Sequence, residues 1–538
     1  MLSRESQGLI RVLLGFSVLA MAVGGLIAVS RATEDDEPRP SSAEPATTET
    51  SRLAATVANQ RSAASTTAGI GPATTSSAPE PRPTTLDGYE ALWAEERQRI
   101  IDRLDSGPYG LDAKGVLHGP GRFTLDTNQC PADWSDRPGV EADTMTILQL
   151  APLSALTVVG DLGLGAKAYL DEVNAKGGIG PDGIMVELIV KDDGYVASST
   201  VSIVEDHLDN GNEPLAISTI GTPNLEAVTR LLNKACVPAL MSLSNSPASG
   251  DPINNPWTTG LRMTPPTEAR LWVEWIERHV DAPVTVAALV MDSSFGRAYE
   301  RGFVEAAADS DLIGRFEAVH HDQASPSVAA EMAEIAAIEA DVFLSMTAGN
   351  PCLLAIQEAA KVDLAASAKI RFTPSNCQQV EAYMKPANLD GEGWLVMGGG
   401  LLDPTDGSLA DHPWIAHVND QLTAAGIDTR HGIQSLGYGL RGWAIHQVLE
   451  IAANLDGGLT RTNLILAQRS LTEMTHPMLH EGVHFGMEGV DDAFFIEGSE
   501  LARYDATTQR WIIEEVIDLN GRTPTCSWQP ATGCLGAD

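Results

Sequence analysis

The chain has 538 residues, of which 43% are hydrophobic and 20% charged, and 72 acidic against 35 basic side chains give it a formal charge of −37. This length exceeds what one small hydrophobic core needs and indicates two to four domains. So acidic a surface repels phosphate backbones, which argues against nucleic-acid binding.

The first 32 residues differ from the rest of the chain. Arg4 and Arg11 precede an uncharged apolar run from Val12 to Val29, and the acidic stretch T-E-D-D-E-P follows. Basic residues before an apolar run place the N-terminus inside and the remainder outside, so we expect an exported protein. The run just reaches spanning length, and Ala28-Val29-Ser30 is a candidate cleavage site. A cleaved signal peptide and an uncleaved membrane anchor are therefore both open.

The next segments are a linker and a short extension. Residues 33–85 are rich in Ser, Thr, Ala and Pro and carry few large apolar side chains, a composition typical of a disordered tether. Apolar residues then recur at helical spacing from Tyr89 to Leu104. This pattern predicts a helix that docks on the body or forms a dimer contact, within a helical and irregular extension over residues 86–142.

From about residue 143, short β-type runs alternate with amphipathic helices. Such alternation predicts right-handed βαβ crossovers and parallel sheets, that is, an α/β fold. The predicted strands, in chain order, are M-T-I-L-Q-L-A, I-M-V-E-L-I-V, L-A-I-S-T-I, P-A-L-M-S-L, V-T-V-A-A-L-V-M, F-E-A-V, V-F-L-S-M, I-R-F-T, A-F-F-I-E and R-W-I-I-E-E-V-I-D. The predicted helices lie at about 160–175, 197–209, 223–235, from 296, near 327–338, from 351, and across most of 411–472.

Two motifs suggest other chemistry. The glycine cluster from Asn174 to Gly183 ends a predicted helix and leads into a strand, which is the reverse of a phosphate-binding loop, so we interpret it as a helix C-cap and turn. His480, Glu481 and His484 match the H-E-x-x-H pattern of zinc proteases. Pro477 and Gly482 disfavour the helix that such a zinc site requires, so we expect a loop there. His320, His321 and Asp322 are likewise expected to form a loop and not a metal site.

The six cysteines indicate disulfides, because export places them in an oxidising compartment. Cys526 and Cys534 bracket a short C-terminal loop at residues 521–538 and are predicted to pair. Cys352 and Cys377 each open a predicted helix and are brought together if their strands are adjacent. Cys130 and Cys236 remain, and the sequence leaves their pairing open.

Several segments resemble a known family. The order A-Y-L-D-E-V-N-A-K-G-G-I-G, then V-E-L-I-V-K-D-D-G-Y, I-S-T-I-G-T-P-N and V-A-A-L-V-M-D-S-S-F-G resembles type I solute-binding proteins, the branched-chain amino-acid-binding family of ABC importers. The similarity covers about residues 143–518, and N-Q-C-P-A-D-W-S-D upstream looks like a subgroup with an N-terminal extension. The resemblance implies two Rossmann-like lobes joined by three crossing segments. Lobe 1 would take 143–262 plus 397–485, and lobe 2 would take 263–396 plus 486–520.

The resemblance also implies a function without catalysis or cofactor: capture of a small amino-acid-like ligand between closing lobes and delivery to an ABC transporter permease. A ligand-sensing receptor of the same fold is the alternative, and a zinc protease a remote one. In open parallel sheets ligands bind beyond the carboxyl ends of the strands. The polar residues that follow predicted strands are the candidate ligand-binding set: Ser154, Thr222, Asn224, Ser242, Ser244, Asn245, Asp292, Ser294, Phe295, Thr347, Asn350 and Ser375.

Local patterns refine three of these candidates. Thr222 and Pro223 are expected at the N-cap and first position of a helix whose free N–H groups suit a carboxylate. Asp292 is either an ammonium partner or a helix cap. Phe295 stands where relatives often have a lid Tyr, and the neighbouring loops T-A-G-N and T-P-S-N lack the usual aromatic and acidic residues. These departures argue against a branched-chain amino acid as the ligand.

Overall fold

The structure, a computed structural model, describes residues 82–518 except Ala155, Leu156, Asn210, Asn245, Asp309, Ala324, Arg430, His431, Glu473 and Asp491. The predicted N-terminal segment, most of the linker, Cys526 and Cys534 lie outside these residues. Within them, no helix is long and apolar enough to cross a membrane.

The strands follow the chain order of the predicted runs. They are β1 Gly110–Leu111, β2 Val116–His118, β3 Thr124–Asp126, β4 Thr144–Ala151, β5 Met185–Asp192, β6 Ala216–Thr219, β7 Ala239–Ser242, β8 Thr258–Gly260, β9 Val284–Met291, β10 Ile313–His321, β11 Val342–Met346, β12 Ile370–Thr373, β13 Leu395–Met397, β14 Gly498–Asp505 and β15 Arg510–Asp518.

The α-helices alternate with these strands and then dominate before β14. They are α1 Leu86–Ser106, α2 Thr157–Ala175, α3 Ala197–Asp209, α4 Thr222–Ala235, α5 Pro265–His279, α6 Ser294–Ala307, α7 Ala329–Ala337, α8 Asn350–Lys361, α9 Lys385–Ala387, α10 Pro413–Ala424, α11 Ile433–Leu436, α12 Trp443–Asn454 and α13 Arg461–Gln468. A π-helical segment, Gly437–Gly442, joins α11 to α12.

Two sheets organise the molecule. The first has the order β5-β4-β6-β7-β8, and each of its neighbouring pairs is parallel. The second has the order β10-β9-β11-β12-β13-β14-β15, parallel up to β13 and antiparallel for the last two pairings. The prediction of an α/β fold with parallel sheets is confirmed. We call the first sheet with α2–α4 and α10–α13 the first lobe, and the second sheet with α5–α9 the second lobe.

Three segments connect the two lobes: the one from β8 to α5, the one that follows β13, and the one that precedes β14. They are hydrogen-bonded to each other, since the Met263 N–H donates to the Ile496 carbonyl at 3.0 Å and the Gly398 N–H to the Glu500 carbonyl at 3.1 Å. Gly400 has a φ of 79°, and a Cβ there would lie 2.7 Å from the Gly498 carbonyl oxygen. Glycine at this position therefore lets two crossing segments run side by side.

The glycine cluster after α2 is a helix end, as predicted. The Gly178 N–H donates to the Val173 carbonyl at 3.1 Å, across the last turn of the helix. Gly177 and Gly178 have φ angles of 122° and 81°, which favour glycine. The chain then enters β5, so this loop does not lead into a helix.

The extension before β4 is built into the first lobe. Trp93 of α1 is fully buried, with its ring centroid 5.2 Å from Trp414 and 5.4 Å from Trp443. Its Nε1–H donates to the Thr475 carbonyl at 2.7 Å. The predicted helix over Tyr89–Leu104 is confirmed, and its apolar face packs on the body of the same chain.

Two disulfides join described cysteines. Cys352 pairs with Cys377, as predicted. Cys130, whose partner the sequence left open, pairs with Cys236, and this bond ties the extension to the end of α4.

Two local predictions were wrong. A-F-F-I-E, residues 493–497, is not a strand: it is part of the crossing segment before β14, and its apolar side chains are buried there without sheet pairing. His320 and His321 are the last two residues of β10 and do not form a loop. In both cases an apolar or polar composition was a poor guide to backbone geometry.

Candidate functional site

The carboxyl ends of β4, β6 and β7 place three predicted loops at one edge of the first sheet. Ser154 follows β4, and its N–H donates to Asp192 Oδ1 at 3.2 Å. Ser244 follows β7, and its Oγ accepts from the Ser246 N–H at 3.0 Å, which shapes the turn. Asn245 lies outside the described residues. These contacts order the loops that surround the edge.

Two candidates of the first lobe use their polar groups internally. Ser242 Oγ accepts from Thr219 Oγ1 at 3.2 Å, and Ser242 is fully buried between strands. The Asn224 amide donates to Asp193 Oδ2 at 2.8 Å and to Thr200 Oγ1 at 2.7 Å. Of the polar side-chain atoms of these two residues, the buried Asn224 Oδ1 has no partner among the described groups. Both side chains therefore hold the loop edge together.

Helix α4 begins one residue earlier than predicted. Gly221, with φ 117°, is the N-cap, and Thr222 is the first helical residue instead of the cap. A Cβ at Gly221 would lie 2.6 Å from a ring carbon of Tyr195, so both the positive φ and the approach of that ring favour glycine at the N-cap. The Tyr195 hydroxyl oxygen accepts from the Thr222 N–H, and burial, Asp193 and Glu226 together raise the pKa of Tyr195 to about 12. Tyr195 was not predicted; it has a φ of 59° just after β5.

In the second lobe, α6 begins beside the carboxyl end of β9. The Ser293 hydroxyl caps it by accepting from the Gly296 N–H, so the capping role considered for Asp292 is wrong. Asp292 Oδ1 instead accepts from Arg297 Nη2 at 2.9 Å, a pairing that competes with the ammonium role. Phe295 is 6% exposed and packs edge-on against Tyr299, at 5.2 Å between centroids. The ring thus lies in the core of the lobe and does not cover its surface.

The remaining second-lobe candidates follow β11 and β12. Thr347 Oγ1 is 2.8 Å from His321 Nε2, and both residues are buried. Ser375 is held by Glu268, which accepts from its N–H at 2.9 Å and from its Oγ at 2.7 Å. Burial raises the pKa of Glu268 to about 7, against these hydrogen bonds. Asn350 is the exposed first residue of α8.

One acidic residue that the sequence reasoning missed links the two lobes. Glu226, on α4, lies close enough to Ser294 at the start of α6 and to Ser246 of the loop after β7 for both hydroxyls to lower the pKa of its carboxyl, and Arg301 of α6 acts in the same direction. Burial raises the pKa of Glu226 despite these partners. The sequence did carry one indication of this role. Glu226 lies one turn beyond Thr222, on a helix that starts just after the carboxyl end of β6. A negative charge therefore lies where the ends of the two sheets approach each other.

The H-E-x-x-H segment is a turn, in agreement with the predicted loop. Gly482 has a φ of 90°, which is incompatible with a regular helix through the motif. His480 Nε2 is 3.6 Å from Glu500 Oε1, and the His480 N–H donates to the Gly400 carbonyl at 3.0 Å. The two histidines thus do not share a helix face, and His480 packs against the crossing segments. Among the described residues, no cluster of three or more His, Cys, Asp or Glu side chains is arranged to hold a metal ion.

Comparison with known proteins is consistent with this architecture. The family model described as periplasmic binding protein matches residues 149–459, which is more than half of the chain. No curated protein matches the chain significantly.

Solved structures share the fold. A fatty acid ABC transporter substrate-binding protein from Thermomonospora curvata has a TM-score of 0.58 and 18% identity, and the match covers 73% of this chain and 98% of that one. A branched chain amino acid ABC transporter protein from Thermus thermophilus with bound valine has a TM-score of 0.60 and 16% identity, covering 70% and 97%. A solute binding protein from Rhodopseudomonas palustris BisB5, in complex with 3,4-dihydroxy benzoic acid, has a TM-score of 0.56 and 16% identity, covering 70% and 98%.

Proposed function

Because the chain belongs to the periplasmic binding protein family, whose members bind ligands and are not enzymes, we propose that it is an extracytoplasmic receptor that captures a small amino-acid-like ligand between its two lobes. We further propose that it delivers this ligand to an ABC importer. The observation that carries the proposal is the contact of Glu226 with Ser294, which links the loop edges of the two sheets. A ligand held between these edges would stabilise the closed arrangement.

The ligand class follows from the groups that border this contact. We assign the ammonium group of the ligand to Glu226, because Asp292 is engaged by Arg297. The polar loops of Ser154, Thr222 and Ser244 border the first-lobe side, where hydroxyl and backbone N–H groups suit a carboxylate. The bound molecules named for related structures, valine and 3,4-dihydroxy benzoic acid, differ widely, so the ligand is argued from these residues alone.

Closure needs a hinge, and we assign it to the three crossing segments. Met263, Gly398 and Glu500 hold these segments together by backbone hydrogen bonds. Ile496 packs in the apolar core of the first lobe, so we place the return to the second lobe at the start of β14, at Gly498. The lobes would then rotate about short segments while each sheet stays rigid.

A thermal-shift panel on the full chain tests the ligand class. It should contain amino acids, carboxylates without an ammonium group, and fatty acids. A ligand at 100 times its dissociation constant stabilises the folded state by about 2.7 kcal/mol. We expect amino acids to raise the melting temperature. If no amino acid does so, amino-acid-like ligand capture is contradicted.

A matched pair of variants makes the test specific. Glu226→Gln should weaken amino-acid binding by roughly 10- to 100-fold, the size of a lost charged hydrogen bond, and leave ligands without an ammonium group unaffected. Glu205→Gln, the same substitution on the exposed face of α3, is the control and should behave like the unmodified chain. Equal binding by both variants would remove Glu226 from the site.

Transport and sensing make different predictions for cells. If the chain feeds an importer, deletion should abolish uptake of the ligand that the panel identifies, and permease and ATPase genes are expected nearby. If it is a ligand-sensing receptor, uptake persists and only a response to the ligand is lost. The N-terminal segment, as signal or anchor, would place either receptor outside the cell membrane.

A further inference from the structure

Arg441 is a fully buried arginine in the π-helical segment Gly437–Gly442. Its Nη2 donates to Ser218 Oγ at 2.5 Å. Its Nε and Nη1 have no hydrogen-bond partner among the described groups. An arginine stays protonated in a protein, so both groups are donors that carry part of a positive charge.

Nothing described in the chain offsets this charge. Burial lowers the pKa of Arg441 to about 9, and no carboxylate acts against that effect. The other deeply buried arginines have acidic neighbours: Arg461 pairs with Glu213 at 2.9 Å, and Asp492 raises the pKa of Arg469 against its burial. An unpaired buried charge is strongly unfavourable. A buried donor without a hydrogen-bond partner in a native fold indicates that a bound water molecule or ion accepts from it.

The surroundings of Arg441 separate it from the edge where the lobes meet. Ser218 of β6 pairs in register with Gln149 of β4, and both are fully buried. Two residues further along the same strand faces, Ala151 and Ile220 pack with Leu162 into an apolar cluster. This cluster lies between the Arg441 contact and the loops that follow the two strands. A ligand captured between the lobes is therefore not the expected partner.

We propose that the first lobe holds a small monovalent inorganic anion, such as chloride, on the Nε and Nη1 groups of Arg441 beneath β4 and β6. The anion neutralises the guanidinium and accepts from its two unmatched donors. A neutral water molecule would satisfy a donor without balancing the charge. Water is nevertheless the competing occupant, because the buried Gln149 Oε1 also lacks a partner and an anion has no proton to donate to it.

Bromide substitution tests the site directly. Crystals of the full chain grown in bromide should show an anomalous peak within hydrogen-bonding distance of Arg441 Nε and Nη1. Density for water alone at this position, or bromide only at the protein surface, overturns the proposal. This measurement uses the unmodified chain and so does not depend on the folding of any variant.

Anion-dependent melting gives a second readout. At constant ionic strength, replacing gluconate by chloride should raise the melting temperature in a saturable way, by roughly 2–5 °C at saturation. Arg441→Met should lose this response. Arg461→Met, which removes an equally buried but paired arginine, should lower the melting temperature and keep the response. Identical melting in chloride and gluconate for the unmodified chain, or a response that Arg441→Met retains, would refute a chloride site at Arg441.

Discussion

Removal of the Cys130–Cys236 disulfide should destabilise the protein more than removal of Cys352–Cys377. The two bonds have the same Cα–Cα distance, 5.6 Å, but their cysteines are 106 and 25 residues apart. The longer loop links the extension before β4 to the end of α4, whereas the shorter one lies within the second lobe. Replacement of each pair by alanines tests the effect of loop length.

The expected magnitude follows from chain entropy. A cross-link removes conformational entropy from the unfolded chain in proportion to the logarithm of the loop length. At 25 °C this amounts to about 4.8 kcal/mol for the longer loop and about 3.5 kcal/mol for the shorter one. The difference, about 1.3 kcal/mol, does not depend on the constant part of the expression.

Urea unfolding of the oxidised parent and of the two alanine variants measures both values. Intrinsic tryptophan fluorescence reports on the first lobe through Trp93 and on the second through Trp272, since both are buried there. A smaller loss for the Cys130–Cys236 variant than for the Cys352–Cys377 variant would refute the loop-entropy reasoning.

Three further outcomes are expected. Trp93→Ala should cost roughly 3–5 kcal/mol of unfolding free energy in urea, because it empties a buried aromatic cluster; a loss below 1 kcal/mol would mean that the extension is dispensable. Burial raises the pKa of Glu268 to about 7 from 4.5, so the folded state holds its proton longer than the unfolded state; stability should fall as pH rises from about 4.5 to 7, and Glu268→Gln should flatten that slope in unfolding curves measured across this range. Ser294→Ala should weaken ligand affinity about 5- to 10-fold in calorimetry, whereas the neighbouring Ser293→Ala should act mainly on stability.

Much of the fold was predictable because short-range patterns record it. β9, β11, β12 and β15 have the bounds of their predicted runs. β9 and β11 are buried parallel strands, which appear in a sequence as continuous apolar stretches. The run at residues 493–497 has the same appearance and is not a strand. Its side chains are buried because the segment crosses between the lobes, and apolar composition reports burial without reporting hydrogen-bond pairing.

The candidate site was predictable only in outline. Position near a strand end places Ser242, Asn224 and Thr347 at the carboxyl-end edge of their sheets, but each uses polar groups in contacts within its own lobe. Whether a given hydroxyl or amide is already hydrogen-bonded within its lobe depends on neighbours that are far apart in the sequence. Ser242, for example, bonds to Thr219 on the adjacent strand.

Glu226 shows why a residue at the lobe contact escapes such reasoning. On α4 it has the appearance of an ordinary helical glutamate, and its partner Ser294 is far away in the sequence, at the start of α6 in the second lobe. The approach of the two lobes adds Ser294 and Arg301 to the surroundings that Ser246 of its own lobe provides. That approach also ties its charge to lobe closure: burial raises its pKa when the lobes are together, so opening the lobes should release a bound proton. Closure should therefore become more favourable as pH falls toward the pKa of Glu226, which connects one helical side chain to the conformational equilibrium that ligand capture requires.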